Sequence, residues 1–374
     1  MAERILITCT DSMMKQFLEP HVIHLVENGY DVEIACSDVL GRFQEVQEDL
    51  GSVVKTHRLS LQRSPLAFPA HMKGYRELKQ IIRAGCFDLI WTNEPVMSTI
   101  TRLAAQEARK NGTRVLYMCH GFHFYKGASI ANWLLFYPIE RTLANEADCI
   151  CTINREDCAR AQKMFAGRVE YIHGTGVDTR RLYPKGETDL RKEIRAGENA
   201  FIILTVGELN RNKNQQVILK AMAVLEDKEI HYVLCGKGDQ RARLERMSRQ
   251  FGMGERVHFL GYRKDLSDIY HQADVFAMTS KREGLSLASL EAMYCGLPLL
   301  NSGIGGLLDI SENGTSGYVY SSDDVHGFAE GIKRIKESKA LQQEMGRRNR
   351  NAVEPYRLEN TKAEILHIIS SVLS

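Results

Sequence analysis

Two carboxylates, Glu283 and Glu291, bracket the stretch Glu283-Gly-Leu-Ser-Leu-Ala-Ser-Leu-Glu291. The run Ala273–Ser280 before it reads as a buried parallel strand, and Leu287, Leu290, Ala292 and Met293 supply the apolar face of a following helix. Glu283 is therefore expected at the carboxyl end of a strand. In open α/β sheets ligands bind at that edge, where the first turn of the next helix offers unpaired backbone N–H groups. Ionised carboxylates only accept hydrogen bonds, so the pair suits a ligand rich in hydroxyls, such as a sugar and a ribose. An acid/base couple is the other chemistry that two carboxylates offer.

A second group follows the strand ending at Thr205-Val206. Gly207-Glu-Leu-Asn-Arg-Asn-Lys-Asn214 opens a helix running to Leu225, and Gly207, Arg211 and Lys213 could cradle a pyrophosphate: Lys213 as a point charge, Arg211 as a fork of donors. A solvated turn accommodates the same residues. The loop Asn301-Ser-Gly-Ile-Gly-Gly-Leu307 lets backbone approach a ligand closely, although it has no phosphate-loop lysine and does not fit Gly-X-Gly-X-X-Gly. A turn explains its glycines alone; their place after the Glu291 helix and the next strand favours a ligand. No Asp-X-Asp pair occurs, which favours neutralising a leaving diphosphate with Lys213, Arg211 and helix dipoles in place of Mg²⁺.

In the first half, Cys119-His-Gly-Phe-His-Phe-Tyr-Lys-Gly127 ends a buried strand and brings His120 and His123 toward an expected cleft. Strand-end histidines are more often structural, but polar and aromatic groups between two glycines point to a substrate-facing loop. Ile130-Ala-Asn-Trp-Leu-Leu-Phe-Tyr-Pro138 is apolar enough for core, the commoner case, and also for a lipid interface. Arg58, Arg63, Lys73, Arg76, Lys79 and Arg83 form a basic run, read as a solvated face with anionic-lipid contact as the alternative.

These residues need a scaffold, and the hydrophobic pattern supplies one. Short apolar runs alternate with amphipathic stretches throughout, the signature of βα units on parallel sheets. Seven candidate strands (Arg4–Cys9, Asp31–Ser37, Val53–Leu59, Phe87–Asn93, Arg114–His120, Asp148–Asn154, Val169–His173) precede six more (Phe201–Leu209, His231–Gly236, Arg256–Gly261, Ala273–Ser280, Pro298–Ser302, Gly317–Tyr320). A chain of 374 residues exceeds one core, so two domains are expected: 1–176 and 199–354. The Gly- and Pro-punctuated segment 177–198, with a helix-like stretch Glu187–Ala196, reads as a linker, and 355–374 as a terminal helix packing back on the first domain. Between two such domains lies the natural place for an active site.

The formal charge of +2 gives no case for nucleic acid, and nine scattered cysteines without Cys-X-X-Cys read as buried thiols of a reducing cytosol. No signal peptide or spanning segment is apparent, so a cytoplasmic protein is expected.

Laid out in this order, the chain resembles the family 4 retaining glycosyltransferases with the GT-B fold, an α/β architecture of two Rossmann-like parallel-sheet domains facing a central cleft. The resemblance runs from Arg4 to about Gly317. It is carried by Phe259-Leu-Gly-Tyr262, the block Ala273–Met293, Gly296-Leu-Pro298 and Gly305-Gly306. The His120–Gly127 and Asn132–Glu140 stretches look like the subgroup that builds bacterial capsular polysaccharides and exopolysaccharides.

The resemblance implies a retaining, metal-independent hexosyltransferase that needs no cofactor and moves a hexose or N-acetylhexosamine from a nucleotide diphosphate sugar, UDP foremost, to a lipid-linked saccharide. By position it assigns Glu291 to the ribose and Glu283 to the donor sugar, with backbone N–H groups of Gly284, Leu285 and Ser286 helping. Lys213 goes to the diphosphate, His120 to the reaction centre, Tyr262 and Arg263 to the border of the base, and Gly207, Gly305 and Gly306 to the donor loops. His123, Tyr125, Lys126 and Trp133 are candidates for acceptor contact, with a contact to the inner membrane surface implied and no nucleic acid. Two positions depart from the pattern: Glu208 stands where an arginine is usual, leaving Arg211 as the candidate replacement, and Asp309 stands where a glutamate is common. A sugar-nucleotide epimerase of similar fold and a non-catalytic glycosyltransferase-like partner are the alternatives.

Overall fold

The computed structural model describes residues 2–62, 64 and 66–374; Arg63 of the basic run lies outside them. Two compact units form: Met1–Gly176 with Glu359–Ser374, and Val177–Leu358.

The first unit is built on a seven-stranded parallel sheet of order β3-β2-β1-β4-β5-β6-β7. Its strands are β1 (Arg4–Thr10), β2 (Asp31–Ser37), β3 (Lys55–Leu59), β4 (Leu89–Asn93), β5 (Arg114–Cys119), β6 (Cys149–Thr152) and β7 (Arg168–Tyr171). Ile5, Leu6 and Ile7 of the central strand are fully buried because helices cover both faces, which is why the strand reads as an unbroken apolar run. Ile5 pairs with Val32 on one side and Leu89 on the other. The chain winds outward to β3, then returns to β4 across β1, so the order reverses between β1 and β4.

The second unit carries a six-stranded parallel sheet of order β10-β9-β8-β11-β12-β13. Its strands are β8 (Phe201–Val206), β9 (Ile230–Cys235), β10 (Val257–Gly261), β11 (Val275–Met278), β12 (Leu299–Ser302) and β13 (Gly317–Tyr320). Here the order reverses between β8 and β11. Each candidate strand of the sequence contains or overlaps one of these thirteen, and both sheets are Rossmann-like.

Residues 177–198, expected as a linker, pack into the second unit. Leu182, Leu190 and Ile194 join its core, and only Leu190–Glu193 of the expected helix is helical. The Asp268 carboxylate accepts from the backbone N–H groups of Lys185, Gly186, Glu187 and Thr188, at 2.6 to 3.1 Å. Hydrogen bonds fasten this segment, so its weak hydrophobicity concealed its packing. The terminal helix Leu358–Leu373 runs into the first unit, where Ile365, Ile368 and Ile369 are buried and Glu364 accepts from the His173 backbone N–H at 2.9 Å.

Candidate active site

The reversal between β8 and β11 is where an open α/β sheet binds ligands, because neighbouring loops there turn to opposite sides and leave a crevice. The loops that leave those two strands carry Lys213 and Glu283. Lys213 Nζ donates to Glu283 Oε2 at 2.6 Å, and the Ser280 hydroxyl donates to the same oxygen at 3.0 Å. With side-chain exposures of 18% and 15%, the two charges keep a path to solvent while much of the screening water is gone.

The two loops are bound to each other along their backbones. Lys281 N–H donates to Asn212 O at 2.8 Å, the Asn212 side chain donates to Arg282 O at 2.9 Å, and the Thr279 hydroxyl bonds Lys213 O and Asn214 O at 3.0 and 3.1 Å. Asn214 takes the left-handed conformation (φ 53°), a turn that asparagine tolerates better than most side chains, and its amide is tied to Ser322 O at 2.7 Å.

After Glu283 the chain enters the helix Leu287–Tyr294. Ser286 caps it, its hydroxyl oxygen accepting from the Ser289 N–H at 3.2 Å, while Leu290, Ala292 and Met293 anchor the buried face. One helical face thus fixes Glu291 while the loop before it fixes Glu283. Tyr270 on the helix Leu266–Gln272 donates its hydroxyl to Glu291 Oε2 at 2.8 Å. Burial raises the Glu291 carboxyl above its ordinary pKa, opposed by the Tyr270 hydrogen bond and by the charge of Arg181.

Gly305 and Gly306 lie against the Glu283 loop. A side chain at Gly305 would stand 2.3 Å from Glu283 O, and one at Gly306 would stand 2.0 Å from Gly284 O; Gly306 N–H also donates to Glu283 O at 3.2 Å. Their small size therefore serves loop-to-loop packing behind Glu283.

Arg211 is exposed and lies in the wall of a cavity that includes none of Lys213, Glu283 and Glu291. Glu208 is also exposed and accepts from the Asn210 amide at 2.9 Å. Arg263 is held by Glu193 and Asp265, both at 2.6 Å, while Tyr262 beside it is 71% exposed.

In the first unit, His120 follows β5 and its Nε2 lies 3.0 Å from Asn93 Oδ1, at the end of β4. An amide oxygen only accepts, so Nε2 carries the proton and Nδ1 is the acceptor nitrogen of the neutral ring. Burial, reinforced by nearby His21, lowers the His120 pKa to about 4, so the ring is neutral at pH 7. Next to Asn93, Glu94 takes φ 66° and accepts from Thr10 N–H at 2.9 Å, a strained link across the β1/β4 reversal.

His123 stacks on Phe136 with centroids 4.5 Å apart, and its carbonyl accepts from the Asn132 amide at 3.1 Å. Tyr125 is half-buried and Lys126 exposed. Trp133 packs against Phe124 and Tyr137 in an aromatic cluster. The helix Ile130–Leu143 is tethered by buried Glu140, which accepts from Arg102 at 2.7 Å and Tyr117 at 3.1 Å, yet Ile130 and Leu134 are 78% and 74% exposed. It is neither wholly core nor wholly surface. Much of the basic run is neutralised: Arg58 pairs with Asp38, Lys73 with Glu77, and Lys79 and Arg83 with Glu107. No helix among the described residues is long and apolar enough to cross a membrane.

Tyr270, Ser280 and Asn93 escaped the sequence reading. Ser280 and Asn93 stand at or just beyond strand ends, a legible position; Tyr270 carried no such signal, since only folding brings its helix beside Glu291.

Comparison with known proteins bears on the family and the fold. The family described as "Glycosyl transferases group 1" matches residues 186–352, and "Glycosyl transferase 4-like domain" matches residues 21–174. The putative glycosyltransferase EpsD of Bacillus subtilis is 32% identical over 381 residues, spanning 100% of this chain and 98% of its own length. The UDP-Gal:alpha-D-GlcNAc-diphosphoundecaprenol alpha-1,3-galactosyltransferase of Escherichia coli is 26% identical over 282 residues, 72% of each chain. Among solved structures, sucrose-phosphate synthase from Thermosynechococcus elongatus superposes with a TM-score of 0.82 at 20% identity over 99% of both chains. Anabaena HepE in complex with UDP and glucose gives a TM-score of 0.80 at 18% identity over 99% of this chain and 100% of that one. With both halves matched and a full-length relative at this identity, the chain belongs to the family 4 glycosyltransferases of GT-B fold.

Proposed function

We propose that this protein transfers a hexose or N-acetylhexosamine from a nucleotide diphosphate sugar, UDP being the nucleotide, to a lipid-linked saccharide in bacterial surface polysaccharide synthesis, with retention at the anomeric carbon. The observation that carries the reading is the Lys213–Glu283 pair at the β8/β11 reversal, with Glu291 one helix further on. The E. coli relative's name specifies a UDP sugar and a diphosphoundecaprenol acceptor, and HepE was crystallised with UDP and glucose, which supports the nucleotide and the acceptor class.

In this reading Glu291 accepts from the ribose hydroxyls and Glu283 from those of the donor sugar. A diphosphate reaching Lys213 exchanges one anionic partner for another and releases Glu283 toward the sugar. As the glycosidic bond breaks, negative charge grows on the leaving diphosphate, and Lys213 with backbone N–H groups stabilises it. The departing phosphate takes the acceptor hydroxyl proton on the same face of the sugar. Within the first unit, His120 is neutral and is held through Nε2 by Asn93. The exposed apolar face around Ile130 and Leu134 rests on the membrane surface where a lipid-linked acceptor is anchored.

A screen of nucleotide sugars for protection against thermal unfolding tests the donor, because a true donor stabilises the native state by mass action. UDP sugars are expected to raise the melting temperature and to support transfer after chelator treatment. Protection by none of them removes the donor assignment, and activity abolished by chelator and restored by Mg²⁺ removes the metal-free one.

A further inference from the structure

The cavity holding Arg211 has a volume of about 200 Å³, and Arg243 and Lys281 also line it. No aspartate or glutamate lines its wall. Lys281 meets one acid, Asp323, at 3.2 Å. Arg243 donates to the amide oxygens of Gln216 at 2.8 Å and Gln240 at 3.3 Å, and neither arginine forms an ion pair among the described residues. With Asp323 neutralising Lys281, the two arginines remain as positive charge that a further anion would relieve.

Two ten-residue helices, Gln216–Leu225 and Arg241–Gln250, begin at this wall, and neither is capped by a side chain at its first residue. Their N-termini add partial positive charge to the same space. Gln215 is 1% exposed and lines the wall, and its Oε1 has no hydrogen-bond partner, so a buried acceptor beside the cavity is left unsatisfied. The volume is below the roughly 300–1,000 Å³ of pockets that enclose drug-sized ligands, and suits a phosphoryl group with a short polyol.

We infer that this cavity is an anion site separate from the donor site, taking a small phosphomonoester. Its occupant would brace the catalytic loops. Arg211 lies two residues before Lys213, and Lys281 two before Glu283, so a phosphate bound by both joins the loops that present the Lys213–Glu283 pair.

The test is a titration of the full chain with inorganic phosphate at constant ionic strength, followed by thermal unfolding. It compares the wild type, Arg243→Gln/Lys281→Gln and a control losing two charges elsewhere, Arg249→Gln/Lys333→Gln. Phosphate should stabilise the wild type and the control, and bind the cavity variant roughly tenfold or more weakly, as loss of charge-assisted hydrogen bonds requires. Protection by UDP, titrated in parallel, should be the same in all three. Equal phosphate response in the three proteins overturns the inference, as does no response in the wild type. Joint loss of phosphate and UDP protection in the cavity variant also overturns it, because the cavity then belongs to the donor site. Absence of UDP protection everywhere counts against the proposed donor alone, and the phosphate comparison still decides. If the double variant does not fold, Lys281→Gln, whose side chain is 46% exposed, takes its place.

Discussion

Lys213 Nζ and Glu283 Oε2 lie 2.6 Å apart although 70 residues separate them, because β8 and β11 are neighbours at the point where the sheet order reverses. The cation proposed for the diphosphate and the carboxylate proposed for the sugar are thereby held against each other by loops whose backbones are hydrogen-bonded together. Lys213→Ala is expected to lower the transfer rate by about 100-fold, the scale of losing one transition-state donor. Glu283→Ala should act mainly on turnover. The pair keeps contact with solvent, so melting temperatures should fall only a few degrees. Wild-type kinetics in both variants, measured beside thermal melts, would remove the assignment.

Glu291 is expected to act on binding. Glu291→Ala should weaken nucleotide affinity by roughly tenfold or more, the value of hydrogen bonds to a charged acceptor, with little effect on turnover at saturation. Tyr270→Phe, which leaves the carboxylate in place and removes the 2.8 Å bond to it together with a longer 3.3 Å contact to Ala288 O, should weaken it less. Because burial raises the Glu291 pKa and the ionised form is the better acceptor, affinity should begin to fall at a higher pH than for an ordinary carboxylate. Calorimetric titration of UDP across pH reads both effects.

Ile130 and Leu134 are exposed one helical turn apart on a helix secured at its other end by buried Glu140. Ile130→Ser/Leu134→Ser should therefore leave stability almost unchanged while reducing sedimentation with anionic liposomes by about tenfold or more, since each side chain contributes about 1.5–3 kcal/mol when buried. Equal sedimentation of wild type and variant would assign the apolar face another role.

Acid should destabilise this protein through its histidines. Burial lowers both His21 and His120 to about 4. Between an unfolded value near 6.5 and that folded value the unfolded chain binds more protons, so stability is full above about pH 6.5 and declines as pH falls toward 4. Each histidine contributes up to about 3 kcal/mol to this decline. His21→Gln should flatten the dependence of denaturant midpoint on pH over that window, and an unchanged slope would show that His21 does not titrate there.

The strands and both carboxylates were legible because parallel strands buried on two faces are written as apolar runs, and each run's end marks the ligand edge. The segment 177–198 was not: its attachment depends on the Asp268 carboxylate, some 80 residues away in sequence, accepting four backbone N–H groups. The glycines of 301–307 were legible as a close approach, but not as an approach to the Glu283 loop. Arg211 was legible as a loop cation. Its facing Arg243 and Lys281, outside the wall that Lys213 would share, was not.

Residue types and local spacing determined the α/β class, the two sheets and the loops at the ligand edge, and singled out Glu283, Glu291 and Lys213 as candidates. Tertiary structure alone decided the partners: Lys213 with Glu283, Tyr270 with Glu291, Asn93 with His120, and Arg211 with Arg243 and Lys281 on one cavity wall. The reason is physical. Hydrophobic periodicity is a local signal repeated every few residues, whereas a hydrogen bond between distant loops depends on strand order, which no local period records.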